Sequence, residues 1–178
     1  MLFYTGKGDK GTSRVGGKKI PKDSVILETL GELDELNSLM GLAKSALKNK
    51  KLSEKLQNAQ ENLFIVQAQV ARIMIPKFKP PVIAKEKILA LEREIATIET
   101  RLKPERGFII PGDNLISSWL DYLRAVSRRV ERKAYILHKK HPLPDEILVY
   151  LNRLSSYLYA LAREGVPKGK REAKPKYK

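Results

Sequence analysis

The sequence predicts an all-α fold, a five-helix up-and-down bundle with an N-terminal glycine-rich loop, and three observations carry that expectation. Apolar residues recur at helical spacing through five separate stretches. Prolines break the chain after the second, third and fourth of them, at Pro76 and Pro80-Pro81, at Pro104, and at Pro142 and Pro144. The connections are short, which favours antiparallel neighbours.

The first helix starts after Ser24, an N-cap residue, and carries Ile26, Leu27, Leu30, Leu33, Leu36, Met40 and Leu47. The second is predicted from about Ser53 to Met74 on Leu56, Leu63, Val66, Val70 and Ile73. The third runs from about Ile83 to Leu102 with Ile88, Leu91, Ile95 and Ile98 on one side. Residues 108–112, Phe-Ile-Ile-Pro-Gly, are too short for a helix and read as an extended linker. Asp113 or Asn114 then caps a fourth helix reaching Leu137 or beyond, and a fifth spans Asp145 to about Arg163. Residues 1–22 are rich in glycine and lysine without helical periodicity. They read as a loop packed on the bundle of residues 23–165, and residues 166–178 as a basic, disordered tail of the same single domain.

A content of 42% hydrophobic and 31% charged residues excludes a disordered chain. No apolar stretch approaches the ~20 residues of a membrane span, and the N-terminus lacks the apolar core of a secretory signal, so the expected location is cytoplasmic. Without cysteine there is no disulfide, thiolate metal site or thiol nucleophile. The only imidazoles, His138 and His141, sit together at a helix end, which disfavours a zinc site or a Ser/His triad. The net charge of +15 invites a nucleic-acid reading. Its location weakens that reading, because Lys168, Lys170, Arg171, Lys174, Lys176 and Lys178 of the tail face only Glu172.

The fourth helix carries the most informative pattern. At ~100° per residue, Arg124, Arg128, Glu131 and Arg132 share a narrow strip beside the apolar stripe, and Arg129 projects further round. Such a face is either a solvated basic surface or a docking strip for phosphate or carboxylate oxygens, which guanidinium forks match. On the fifth helix Asn152, Ser156, Tyr159 and Arg163 form a polar line, readable as hydrogen-bonded packing or as part of a site. On the first, Asn37 falls inside the apolar stripe and Asp34 on its margin, so both are expected to leave bulk water and Asp34 to need a cationic partner. Gly6-Lys7-Gly8-Asp9-Lys10-Gly11 matches G-x-G-x-x-G literally, but with no strand before it and no helix opening after it this is not a Rossmann turn. Its backbone N–H groups and lysines still suit phosphate oxygens.

Six segments in order then carry a resemblance: YTGKGDKGTS at 4–13, IPKDS at 20–24, GELDELNSLMG at 31–41, FIIPG at 108–112, LRAVSRRVER at 123–132 and YLNRLSSYLYALAR at 150–163. Together they resemble the PduO-type ATP:corrinoid adenosyltransferases, whose fold is a ferritin-like five-helix bundle. The resemblance implies a homotrimer with ATP between subunits and transfer of the 5'-deoxyadenosyl group of ATP to Co(I) of cob(I)alamin, with Mg2+ as cofactor. It implies that Thr5, Gly6, Lys7, Gly8, Thr12, Ser13 and Lys22 surround the triphosphate, and that Arg128, Arg129, Glu131, Arg132 and Asn152 complete the nucleotide site. Arg128, Lys22 and Asn152 would carry catalysis, with Asn152 near Mg2+. Asp34 and Arg124 would pair across the subunit interface, and Phe108 would pack near the corrin. The chain departs from the family pattern at Ser156, usually aspartate, and at Asp113, commonly glycine. The rival readings are a basic nucleic-acid binder and a nucleotide-binding regulator on the same scaffold.

Overall fold

Three of the five helices start at a side chain that accepts the N–H of the residue three positions on: Ser24 from Leu27 at 3.3 Å, Asn49 from Leu52 at 3.0 Å and Asn114 from Ser117 at 3.0 Å. The computed structural model describes residue 4 and residues 6–104, 107–167 and 173–177. The helices are α1 (Val25–Leu47), α2 (Lys50–Arg72), α3 (Lys85–Leu102), α4 (Leu115–Lys140) and α5 (Asp145–Glu164). α5 lacks a side-chain cap, and Asp145 and Glu146 in its first turn oppose the positive end of its dipole.

Side-chain pairs fix the directions. Glu28 meets Lys133 and Glu32 meets Arg129, so α1 and α4 run antiparallel. Asn62 with Lys87, and Lys55 with Glu94, set α2 against α3 in the same sense. Glu131 with Asn152, and Asp121 with Arg163, do so for α4 and α5. Glu92 with Arg153, and Arg101 with Glu164, make α3 and α5 parallel. This is the up-and-down order the short connections predict. The interior is a continuous apolar core, with Leu33, Leu36, Met40, Leu56, Leu63, Leu123, Leu151 and Leu154 fully buried.

The N-terminal stretch differs from the loop expected of it. Thr12–Val15 (β1) and Lys18–Pro21 (β2) pair antiparallel, Thr12 opposite Pro21 and Val15 opposite Lys18. Gly16 and Gly17, at φ +56° and +84°, form the turn, and two successive positive φ values match the right-handed twist of a hairpin. Strands of four residues are too short to reveal a period in the sequence. The turn leans on the bundle, since a Cβ at Gly16 would lie 2.4 Å from Ile75 Cγ1.

The linker between α3 and α4 is non-helical, as expected, and Ile110 N–H donates to the carbonyl of Ala173 at 2.8 Å. Tail residues 168–172 and 178 lie outside the described residues. Among the described residues no helix is long and apolar enough to cross a membrane.

Candidate functional site

The antiparallel register of α4 and α5 opens a cleft of about 510 Å³ whose remaining walls come from α3 and the 107–111 linker. One wall is apolar, with Ile95, Ile98, Leu102, Phe108 and Ile109. The other carries guanidinium groups, from Arg124 and Arg128 on α4 and Arg163 on α5, with Ser155, Ser156 and Tyr159 between them. Phe108 is 77% exposed, an aromatic ring held out at the cleft by an extended linker.

Arg128 is exposed and has no ion-pair partner among the described residues, so its charge is available to an anion. Arg132, one turn on, is likewise exposed. Glu131 accepts a hydrogen bond from Asn152 Nδ2 at 2.7 Å, and Asn152 Oδ1 accepts one from Arg153 at 2.8 Å. Glu131 and Asn152 thus stand together across α4 and α5, a half-buried carboxylate and an exposed amide. Arg124 is half-buried, with its guanidinium 5.6 Å from the Tyr159 ring centre and its Nε buried without a hydrogen-bond partner.

Arg129 turns the other way. Its Nε donates to Glu32 at 2.6 Å and its Nη2 to Glu35, both on α1, and these two hydrogen bonds, in that order, hold its pKa above the ordinary arginine value. The helical geometry that separates Arg129 from the strip of Arg124 and Arg128 is visible in this pairing.

The N-terminal residues form a second cluster. Lys22 N–H donates to the Gly11 carbonyl at 3.0 Å, and a Cβ at Gly8 would lie 3.6 Å from Lys22 Nζ. The glycine loop, β1 with the half-buried Thr12 and Ser13, and Lys22 therefore share one end of the hairpin, with Gly6 at φ +64° and Lys7 exposed. Thr5 lies outside the described residues. The hairpin rests where α2 ends, and none of its residues lines the arginine cleft.

Within one chain Asp34 is exposed. It lies in an open groove between α1 and α2 with Leu30, Phe64 and Ala71, and no cation pairs with it among the described residues. A residue at the margin of an apolar stripe is buried only if a neighbour covers that margin, and here the helices pack on its other side. Asn37 is buried as expected, with its Oδ1 unpartnered.

One element of the cleft escaped the sequence reading. Asp121, buried on α4, forms an ion pair with the buried Arg163. Its spacing to Arg124 and Arg128, three and seven residues, places all three on one face and was the available signal. Among the described residues no group of three or more His, Asp or Glu could cage a metal ion.

Several known proteins similar to this chain are of one kind. The sequence profile described as "Cobalamin adenosyltransferase" matches residues 3–164. A corrinoid adenosyltransferase of Bacillus subtilis is 34% identical over 92% of this chain and 86% of its own length. The human corrinoid adenosyltransferase MMAB is 36% identical over 90% of this chain and 67% of its own length. The PduO corrinoid adenosyltransferase of Citrobacter freundii is 38% identical, and there the match spans 49% of the relative's length. A variant PduO-type ATP:corrinoid adenosyltransferase of Lactobacillus reuteri, solved with cobalamin and ATP, superimposes with a TM-score of 0.85 at 30% identity, covering 91% of this chain and 89% of that one. With nearly the whole bundle matched in both sequence and shape, the chain belongs to the cobalamin adenosyltransferase family.

Proposed function

We propose that the chain transfers the 5'-deoxyadenosyl group of ATP to Co(I) of a reduced corrinoid such as cob(I)alamin, releasing triphosphate. The single observation that carries this reading is the two-sided cleft, with an apolar wall bearing the exposed ring of Phe108 facing a wall of guanidinium groups. A large, flat, mostly apolar substrate and a polyphosphate need those opposite surfaces side by side. The Lactobacillus relative, solved with cobalamin and ATP together, supports the pairing.

The reaction demands little acid–base chemistry. The Co(I) lone pair attacks C5' of ATP, the C5'–O bond breaks, and its electron pair leaves with the triphosphate as cobalt is oxidised to Co(III). The substrate is its own nucleophile, which suits a chain with no cysteine and two peripheral histidines. What remains for the protein is alignment, exclusion of water and stabilisation of charge on the departing oxygen. We assign that last task to Arg128, which lines the cleft, and to Arg132 one turn on, with Asn152 hydrogen-bonded to Glu131. Phe108 and the linker carry the apolar side and shield the corrin. Magnesium fits as an ion held chiefly by the triphosphate with Glu131 and Asn152 as neighbours, since Mg2+ keeps waters and phosphates and needs no protein cage. When bound it neutralises charge on the leaving group.

The glycine loop and Lys22 complete the nucleotide site from a second copy. This reading rests on the separation, within one chain, of the hairpin from the arginine cleft, and it requires a homo-oligomer, for which we propose a trimer. The exposed Asp34 in its open groove offers a carboxylate to a cation of a second copy, as a subunit contact requires. A cysteine-free chain suits the cytoplasm.

The test is anaerobic incubation of the protein with ATP, Mg2+ and cob(I)alamin, followed by absorbance. Formation of adenosylcobalamin with stoichiometric triphosphate is expected. Persistence of the Co(I) spectrum with intact ATP overturns the reading.

A further inference from the structure

Within the arginine wall of the cleft lies a chain of contacts with no assigned role in the transfer. Asp121 and Arg163 are oppositely charged and almost wholly withdrawn from water, at 8% and 6% side-chain exposure. A buried ion pair is a poor way to gain stability, because desolvating both groups offsets most of their attraction and apolar residues of similar volume often do as well. The pair does supply orientation. A guanidinium tied to a carboxylate presents a fixed planar face, and that of Arg163 lies 4.9 Å from the centre of the Tyr159 ring. The same ring has the Arg124 guanidinium at 5.6 Å. Tyr159 is itself 38% exposed and lines the cleft. Arg124 has its Nε buried without a hydrogen bond, so within the chain the ring is a principal restraint on where its charge sits.

Resting on the function proposed above, we propose that Asp121 and Arg163 are positioning residues of the adenosyl transfer: they fix Tyr159, and through it Arg124, and so set the width of the cleft and the charge of the wall that faces Phe108. The direction of control runs inward to outward. Asp121 selects one orientation of Arg163, the guanidinium face selects one orientation of the ring, and the ring holds Arg124 at the wall. A loosened ring would leave Asn152 and Lys22, which do not line the cleft, unchanged. The corrinoid would be held less well aligned with C5'.

The test compares steady-state kinetics of wild type and variants, with ATP and cob(I)alamin varied separately. Arg163→Lys keeps the charge opposite Asp121 and removes the planar face, so it should fold. Misalignment at the reacting centre should lower kcat/KM for the corrinoid ~10-fold or more while KM for ATP stays within about twofold. Tyr159→Leu should match that loss and Tyr159→Phe should restore the rate, because the ring and not its hydroxyl carries the contact. Asp121→Asn placed in the Tyr159→Leu background should add less than about a further twofold, since residues acting through one another are not additive. Unchanged corrinoid kinetics in Arg163→Lys would overturn the proposal, as would losses at Asp121 and Tyr159 that multiply. Should Asp121→Asn not fold, Arg163→Lys and the two Tyr159 variants still decide. A wild-type protein that forms no adenosylcobalamin sinks the function itself, a result separate from insensitive variants of an active enzyme.

Discussion

Arg129 on α4 is shared by two carboxylates of α1, with Nε on Glu32 and Nη2 on Glu35. The guanidinium next to it in sequence, Arg128, faces the opposite way into the cleft. Two consecutive arginines thus divide between pairing with a neighbouring helix and lining the cleft.

That division predicts different phenotypes. The Arg129 side chain is 43% exposed, so solvent screening limits the pair of bonds to a contribution of about 1 kcal/mol. Arg129→Met should lower the thermal midpoint by ~2–4 °C, less at high salt, and reduce turnover far less than loss of Arg128 does. Calorimetry at low and high ionic strength, beside kcat at saturating ATP, checks both statements. A large rise in KM for ATP with an unchanged midpoint would return Arg129 to the nucleotide.

Arg128→Ala should do the reverse. The side chain is exposed and unpaired among the described residues, so its removal leaves the fold intact. Losing one strong electrostatic contact to the departing triphosphate should cut turnover at least ~100-fold. Near-normal turnover at saturating ATP, measured by triphosphate release, refutes the role.

How much was legible beforehand follows from the range of the signals. Helices of 18 to 26 residues repeat their apolar period several times, so α1 to α5 could be read to within a few residues from Leu and Ile spacing, caps and prolines. The hairpin could not be read by period, although Gly16-Gly17 between four-residue strands was a turn signal. In the site, the spacing of Arg124 and Arg128 put them on one strip and Arg129 off it, and the structure keeps that geometry. Asp121 was missed because a lone carboxylate in a helix reads as solvated. Only its register against Arg163 on α5 takes it out of water.

Gly16→Ala should separate the hairpin from the bundle. At φ +56° an alanine is strained, and its Cβ would meet Ile75 Cγ1 at 2.4 Å. The bundle itself would keep its core, so the helical signal and its melting should change little. If the glycine loop and Lys22 grip triphosphate, KM for ATP should rise several-fold while KM for the corrinoid holds. Equal changes in both constants would disconnect the hairpin from the nucleotide.

Tyr150 gives a pH signature. Full burial pushes its phenol up to about 12, and Asn62 tempers the shift without the alignment of a formed hydrogen bond. A folded pKa above the unfolded value leaves stability intact below about pH 10 and erodes it as pH climbs toward 12, by at most about 2–3 kcal/mol from this group. Tyr150→Phe should therefore flatten the alkaline limb of a denaturation-midpoint profile relative to wild type. At pH 7 it should cost little, because among the described residues the buried hydroxyl makes no well-aligned hydrogen bond. A parallel alkaline decline in both proteins would show that other groups dominate it.

Asp34→Asn tests the proposed contact between copies. Asp34 sits in an open groove beside Phe64, which is 62% exposed, a large apolar side chain next to an unpaired carboxylate. Among the described residues neither feature has a stabilising partner, so the substitution should leave the monomer's fold and melting untouched. If a cation of a neighbouring copy lies over that groove, removing the charge breaks a desolvated pair and leaves the partner's guanidinium uncompensated, a loss of order 3–5 kcal/mol. Sedimentation should then show dissociation at concentrations where wild type stays assembled, and turnover should fall with it because the glycine loop and the arginine cleft part company. Restored activity at high protein concentration would separate lost assembly from lost chemistry. An unchanged mass with an unchanged rate would remove Asp34 from the interface.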